Sequence, residues 1–221
     1  MQALANTMNL GWVRFPAGTA DDPYNWTTGD DTDAWVAQFS TYSAYSDMQT
    51  DIPIIRGKGG INFSDFASFI ASQRTGPVST AGTSPTHVIG VINTFTDTAA
   101  SAGALAAAAV AAGIPVDLWE LGNEPVYFSG FYPDAPTYLD AVKPYAAAIK
   151  AAVPTAKVAV YIKPDATNSW TTDTASYPTP FWDELYTHTY PNASQTVSST
   201  SDQISFYNGF LLNNTNVDIY I

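Results

Sequence analysis

The chain has 221 residues, 46% hydrophobic, 14% aromatic and only 13% charged, enough apolar sequence for one sizeable core and too much for a disordered tail. Eight basic residues against 20 acidic ones leave a formal net charge of −12, which repels a phosphate backbone and argues against nucleic acid as a partner. No cysteine is present, so a disulfide framework, a thiolate metal site and a cysteine nucleophile are all excluded.

In chain order, residues 2–9 have a weak helical pattern but neither a basic start nor a long apolar stretch, so an export signal is expected upstream of this sequence. Leu10-Gly11-Trp12-Val13-Arg14-Phe15 reads as a strand closed by Pro16, Ala17 and Gly18. Residues 19–60 are polar and read as a long loop with one short helix over 33–45. Within it Asp21, Asp22, Asp30, Asp31 and Asp33 read as a solvated acidic loop, because their spacing does not fit a calcium-binding EF-hand. Ser64 is the expected cap of a helix striped by Phe66, Phe69 and Ile70, and after a Gly/Pro/Ser/Thr break residues 87–92 read as a buried strand.

The alanine-rich run over 99–113 has the pattern of a packed helix ended by Gly113 and Pro115, and it is too short for the roughly 20 apolar residues of a membrane span. A strand over 116–121, a helix over 135–153 interrupted near Pro144, and a strand over 157–162 follow. A polar connection leads to a strand segment over 181–188, a helix over 201–212 and a terminal strand-like run over 217–221. Six alternations of strand and helix predict an α/β fold with parallel strands, either a (β/α) barrel or a doubly wound sheet. Gly57-Lys58-Gly59-Gly60 lacks the spacing and the preceding strand of a phosphate-binding loop, so no nucleotide cofactor is expected.

The most informative segment is Trp119-Glu120-Leu121-Gly122-Asn123-Glu124-Pro125, at the C-terminal end of a buried strand, where barrel enzymes place their chemistry. Pro125 restricts the residue before it, so the Glu124 carboxylate is held where neither helix nor ladder continues. Glu120, four residues earlier, is expected below the rim as a buried partner, and Glu184, early on its strand, toward the opposite end of the sheet. Asn93 ends the strand over 87–92 and either lines a subsite or caps a turn. His188 and Tyr190 end the sixth strand, on the side of the expected site. Tyr24, Trp26, Tyr127 and Tyr132 are aromatic candidates for substrate walls, since sugar rings present apolar CH faces, whereas Trp119 reads as core.

The Asn123-Glu124 pair at a strand end resembles the clan A retaining glycoside hydrolases. In that resemblance Glu124 is the general acid/base and Asn123 the partner of the sugar 2-hydroxyl. A second match, Val13-Arg14-Phe15-Pro16-Ala17-Gly18-Thr19 followed by Asp22, Tyr24 and Trp26, resembles the second-strand motif of families 79, 51 and 39, with Ala17 where many relatives have glycine. Family 79, the β-glucuronidase and heparanase group, is the most similar. The resemblance implies a (β/α)8 TIM barrel, a β-linked glycoside as substrate, no cofactor and no metal, and Arg14 beneath the two carboxylates.

A retaining mechanism needs a second carboxylate about 5–5.5 Å from the first. The resemblance puts it at the end of the seventh strand, which matches residues 217–221, so the nucleophile is expected just after Ile221. Counted this way residues 1–221 hold about strands 2 to 7 of a barrel truncated at both ends, a fragment with little activity of its own. The alternatives are a noncatalytic carbohydrate-binding barrel and a family 51-like arabinofuranosidase. A carbohydrate is the expected partner, with neither membrane nor nucleic acid, and the acidic, lysine-poor composition suits a secreted or periplasmic protein.

Overall fold

The structure, a computed structural model, describes residues 11–16, 18, 22–39, 53, 60–75, 86–165, 167–188 and 218–220. The helices expected over 2–9 and 201–212, and Tyr190, lie outside these residues. Among them, no helix is long and apolar enough to cross a membrane.

The elements are β1 (Trp12–Phe15), β2 (Tyr24–Asn25), β3 (Asp30–Asp31), α1 (Asp33–Phe39), α2 (Phe63–Thr75), β4 (His87–Ile92), α3 (Ala99–Ala111), β5 (Val116–Leu121), a 3-10 turn (Pro125–Tyr127), α4 (Ala135–Ala152), β6 (Val158–Tyr161), α5 (Ser169–Ala175), β7 (Glu184–Tyr186) and β8 (Asp218–Tyr220). Six strands form one parallel sheet in the order β1-β4-β5-β6-β7-β8, so chain order and spatial order coincide. The fold is thus α/β with a parallel sheet, and β1 and β8 stand at the two ends of that order.

Helices pack on one face of this sheet. Phe15 stacks on Phe66 of α2 at 4.0 Å between centroids, which fixes the helix side of β1. Residues in register on parallel strands point the same way, so Phe15, Gly90, Trp119 and Val158 share that face. Gly90 is required there, because a Cβ would lie 2.4 Å from two ring carbons of the buried Trp119. α3 lies close against α4, with the Gly103 position 3.0 Å from the Ala148 carbonyl oxygen when a Cβ is placed on it, and the small side chains of the alanine run permit that approach. The opposite face, by the same alternation, carries Arg14, Glu120, Ala159, Tyr161, Glu184 and Tyr186.

Several local expectations are corrected. α2 starts two residues earlier than a Ser64 cap allows: Asn62 Oδ1 accepts from the Asp65 N–H while Asp65 Oδ2 accepts from the Asn62 N–H, a reciprocal cap that places the helix start at Phe63. The loop over 19–60 contains the antiparallel pair β2–β3, Tyr24 opposite Asp31, and Asp22 and Asp31 are buried rather than solvated. The polar connection after β6 contains α5, capped by Asn168, whose side chain accepts from the Trp170 N–H.

Candidate active site

β5 carries the site out of the core. Leu118, Trp119, Glu120 and Leu121 are all buried, and Gly122 extends the ladder by donating its N–H to the Ile92 carbonyl. The chain then turns through two left-handed residues. Gly122 has φ +91, and a Cβ there would meet Thr94 Oγ1 at 2.8 Å, so glycine is needed for both conformation and space. Glu124 has φ 46 and ψ 49, the one non-glycine residue with positive φ among the described residues. That conformation costs a residue with a side chain about 1–2 kcal/mol, and such strain concentrates at functional positions.

Hydrogen bonds hold this turn from two sides. Tyr138 on α4 donates its hydroxyl to the Leu121 carbonyl at 2.6 Å, and Tyr186 on β7 donates to the Gly122 carbonyl at 2.7 Å. Burial keeps both phenols protonated by pushing their pKa well above the usual value of 10.0, so both remain donors throughout the physiological range. Beyond Glu124, Tyr127 N–H donates to the Glu124 carbonyl and Phe128 N–H to that of Pro125.

The face opposite the helices brings the charged residues together. Arg14 Nε donates to Glu120 Oε2 at 2.7 Å and its Nη2 donates to Asn123 Oδ1 at 3.0 Å. The guanidinium therefore bridges a buried carboxylate and the amide next to Glu124, fixing that amide with its NH2 group turned away from Arg14. Burial raises the Glu120 pKa above 4.5, opposed by the charge and hydrogen bond of Arg14 and, more weakly, by His188. Glu124 Oε1 lies 3.1 Å from His188 Nδ1, both side chains being mostly but not fully covered, at 14% and 17% exposure. His188 in turn packs against Tyr161 and Tyr186, with ring centroids 6.1 and 5.6 Å away.

Four residues expected at the site, Arg14, Asn123, Glu124 and His188, thus come together, with Glu120 as the buried partner of Arg14. Tyr24, Trp26 and Asn93 gather elsewhere, around a small cavity also lined by Pro16, Asp97, Ala102 and Leu105 next to α3. Asn93 is a turn cap there: Oδ1 accepts from the N–H groups of Phe95 and Thr96, and Nδ2 donates to the Tyr24 carbonyl. The Tyr24 hydroxyl donates to the Ile61 carbonyl, and Trp26 Nε1 donates to Ser101 Oγ at 2.9 Å. Tyr132 is corrected from wall to core, being 5% exposed with its hydroxyl on the Thr94 carbonyl, whereas Tyr127 is exposed. Glu184 lies toward the other end of the sheet and is paired with Lys157 at 2.5 Å. Tyr138 and Tyr186 were not among the expected site residues. Their signal in the sequence is weak, because a tyrosine in an apolar run reads as core until its hydroxyl is traced to a carbonyl.

No protein-family model matches this chain, and no curated protein matches it.

Proposed function

We propose that the chain is the catalytic part of a retaining glycoside hydrolase acting on a β-linked glycoside, resembling clan A and most of all family 79, with Glu124 as general acid/base. One observation carries this reading. A single carboxylate is held in a strained left-handed conformation at the C-terminal end of a buried parallel strand, 3.1 Å from an imidazole and beside an arginine-bound amide. A side chain that must give a proton to the glycosidic oxygen and later take one from water needs a fixed position and a neighbour that can share that proton. His188 is within reach for the second requirement, and the tyrosine-braced turn meets the first. Asn123, oriented by Arg14, presents its NH2 as the donor for a sugar hydroxyl.

The barrel belongs to this proposal. Six parallel strands in sequential order favour it over a doubly wound sheet, whose order reverses at a switch point. A face that no helix covers among the described residues, lined by Arg14, Glu120 and Tyr186, suits a barrel interior opening at its C-terminal end. In this reading the nucleophile stands at the C-terminal end of β8, after Ile221, and export to the periplasm or medium suits the composition. The mechanism is a double displacement: Glu124 protonates the leaving oxygen as the nucleophile attacks, then activates the water that releases the sugar.

The test is a hydrolysis panel of aryl β-glucuronides, arabinofuranosides, xylosides and glucosides with the full-length gene product. Turnover of one glycone that falls by about 10²–10⁴ in Glu124→Gln supports the assignment and names the sugar. No turnover from a folded protein sinks it, and retained saccharide binding in that case turns the reading to a noncatalytic binding barrel.

A further inference from the structure

Glu120 is 3% exposed on a buried strand, and its one hydrogen bond among the described residues goes to Arg14. An ion pair this covered adds little net stability over apolar side chains of the same shape, so stability does not account for a carboxylate in the middle of β5. What such a pair does supply is orientation, and the geometry around Arg14 shows of what.

Arg14 stands on β1, in register with Ile89 of β4, which is in register with Leu118 of β5. Its side chain therefore crosses β4 to reach β5, two strand spacings or about 9–10 Å away. A stem of that length has many rotamers, and its head keeps one place only when it is anchored. The two anchors lie three residues apart on one segment: Nε donates to Glu120 Oε2 and Nη2 to Asn123 Oδ1, so the planar guanidinium spans Leu121 and the left-handed Gly122. Because the guanidinium is rigid, the bond to Glu120 fixes the direction from which Nη2 meets the buried Asn123 amide.

We propose that Glu120 is a positioning residue for recognition of the sugar 2-hydroxyl: it anchors Arg14, and Arg14 holds the Asn123 amide at the angle from which its NH2 meets that hydroxyl. This rests on the glycosidase reading, in which Asn123 takes the 2-hydroxyl. Hydrogen bonds to that hydroxyl strengthen in the transition state, so a loosened amide lowers kcat more than it raises KM.

A substrate pair isolates this role. The full-length protein, Glu120→Ala, Glu120→Gln, Asn123→Ala and Glu120→Ala/Asn123→Ala are assayed on the aryl glycoside that the wild type hydrolyses best and on its 2-deoxy counterpart. On the parent glycoside Glu120→Ala should lower kcat by about 10–100-fold, the cost of a small misplacement at the reacting centre. On the 2-deoxy glycoside, which has no hydroxyl for Asn123 to meet, it should change kcat by no more than about twofold. Glu120→Gln keeps an oxygen for Nε but not the charge, so its loss should be intermediate, again confined to the parent, and this variant tests the role even where the alanine variant does not fold. Once Asn123 is alanine, Glu120→Ala should cost nothing more on the parent. Equal losses on both substrates, or a further loss in the double variant, overturn the positioning role while the glycosidase reading stands. Failure of the wild type to hydrolyse any glycoside overturns that reading, and this assignment with it.

Discussion

Arg14→Met tests the electrostatic core of the site. The Arg14 side chain is 22% exposed and that of Glu120 only 5%, so the arginine can recover some hydration on losing its partner and the glutamate cannot. Removing one member of a buried ion pair costs about 3–5 kcal/mol when the other stays charged. Glu120 has an escape, which is to take up a proton. Its folded pKa already lies above 4.5 despite Arg14, so its contribution to stability is fully present below 4.5 and is lost as pH rises through the folded value. Deleting Arg14 removes both of that residue's opposing effects, so the loss continues to higher pH. The gap between wild type and Arg14→Met should be about 1 kcal/mol near pH 4.5, the worth of the Asn123 hydrogen bond. It should widen by up to about 1.4 kcal/mol per pH unit toward about 3–5 kcal/mol at pH 8. Urea unfolding at a series of pH values measures this, with Arg14→Met/Glu120→Gln as the companion. A gap that does not change with pH, or a double variant as unstable at pH 8 as Arg14→Met, refutes the reasoning.

Three further outcomes follow from the geometry. Glu124→Gly should be more stable than Glu124→Ala by about 1 kcal/mol, because only the alanine keeps a Cβ in the left-handed region, and equal stabilities in denaturant would show that the turn carries no strain. Gly90→Ala should lower stability by about 1–3 kcal/mol and alter the near-ultraviolet circular dichroism of Trp119, whose ring occupies the space a Cβ needs. An unchanged spectrum would contradict that packing. Tyr138→Phe should cost about 1–3 kcal/mol by leaving the buried Leu121 carbonyl without its 2.6 Å partner. It should also lower kcat more than it raises KM, as checked by steady-state kinetics on the best glycoside of the panel.

Much of the parallel sheet is legible in the sequence because its strands are short, nearly continuous apolar runs bounded by turn residues, as in 87–92, 116–121 and 157–162. Glu124 is legible for a related reason: Asn-Glu-Pro directly after such a run cannot extend the strand. α5 is not, since Ser-Trp-Thr-Thr-Asp-Thr-Ala is poor in helix formers. It forms because Asn168 caps it, Thr174 donates to the Trp170 carbonyl within the helix, and Thr171 ties the helix to the Lys163 carbonyl. The β2–β3 pair escapes notice because each strand is two residues long. The Arg14–Glu120 contact spans 106 positions, and no local pattern encodes it; only the register of β1, β4 and β5 puts the two side chains on one face. His188 beside Glu124 is likewise a product of register, at a separation of 64.

The turn at 122–124 shows how the chain divides conformation from chemistry. Two left-handed positions, 122 and 124, frame Asn123, and glycine occupies the first, where Thr94 leaves no room for a side chain. The second must carry a carboxylate, so it keeps a Cβ and bears about 1–2 kcal/mol of strain. The Tyr138 and Tyr186 hydroxyls, on consecutive carbonyls just before it, each contribute about 0.5–1.5 kcal/mol, enough together to offset that strain. Neither tyrosine touches Glu124 through these bonds, yet both fix the two peptide planes that flank Gly122 and lead the chain into Asn123 and Glu124. One comes from the helix layer and the other from the opposite face of the sheet, so the carboxylate's position depends on the packing of α4 against β5 and on the register of β7. A general acid that must stay aligned with one oxygen gains from being pinned on both sides of the sheet.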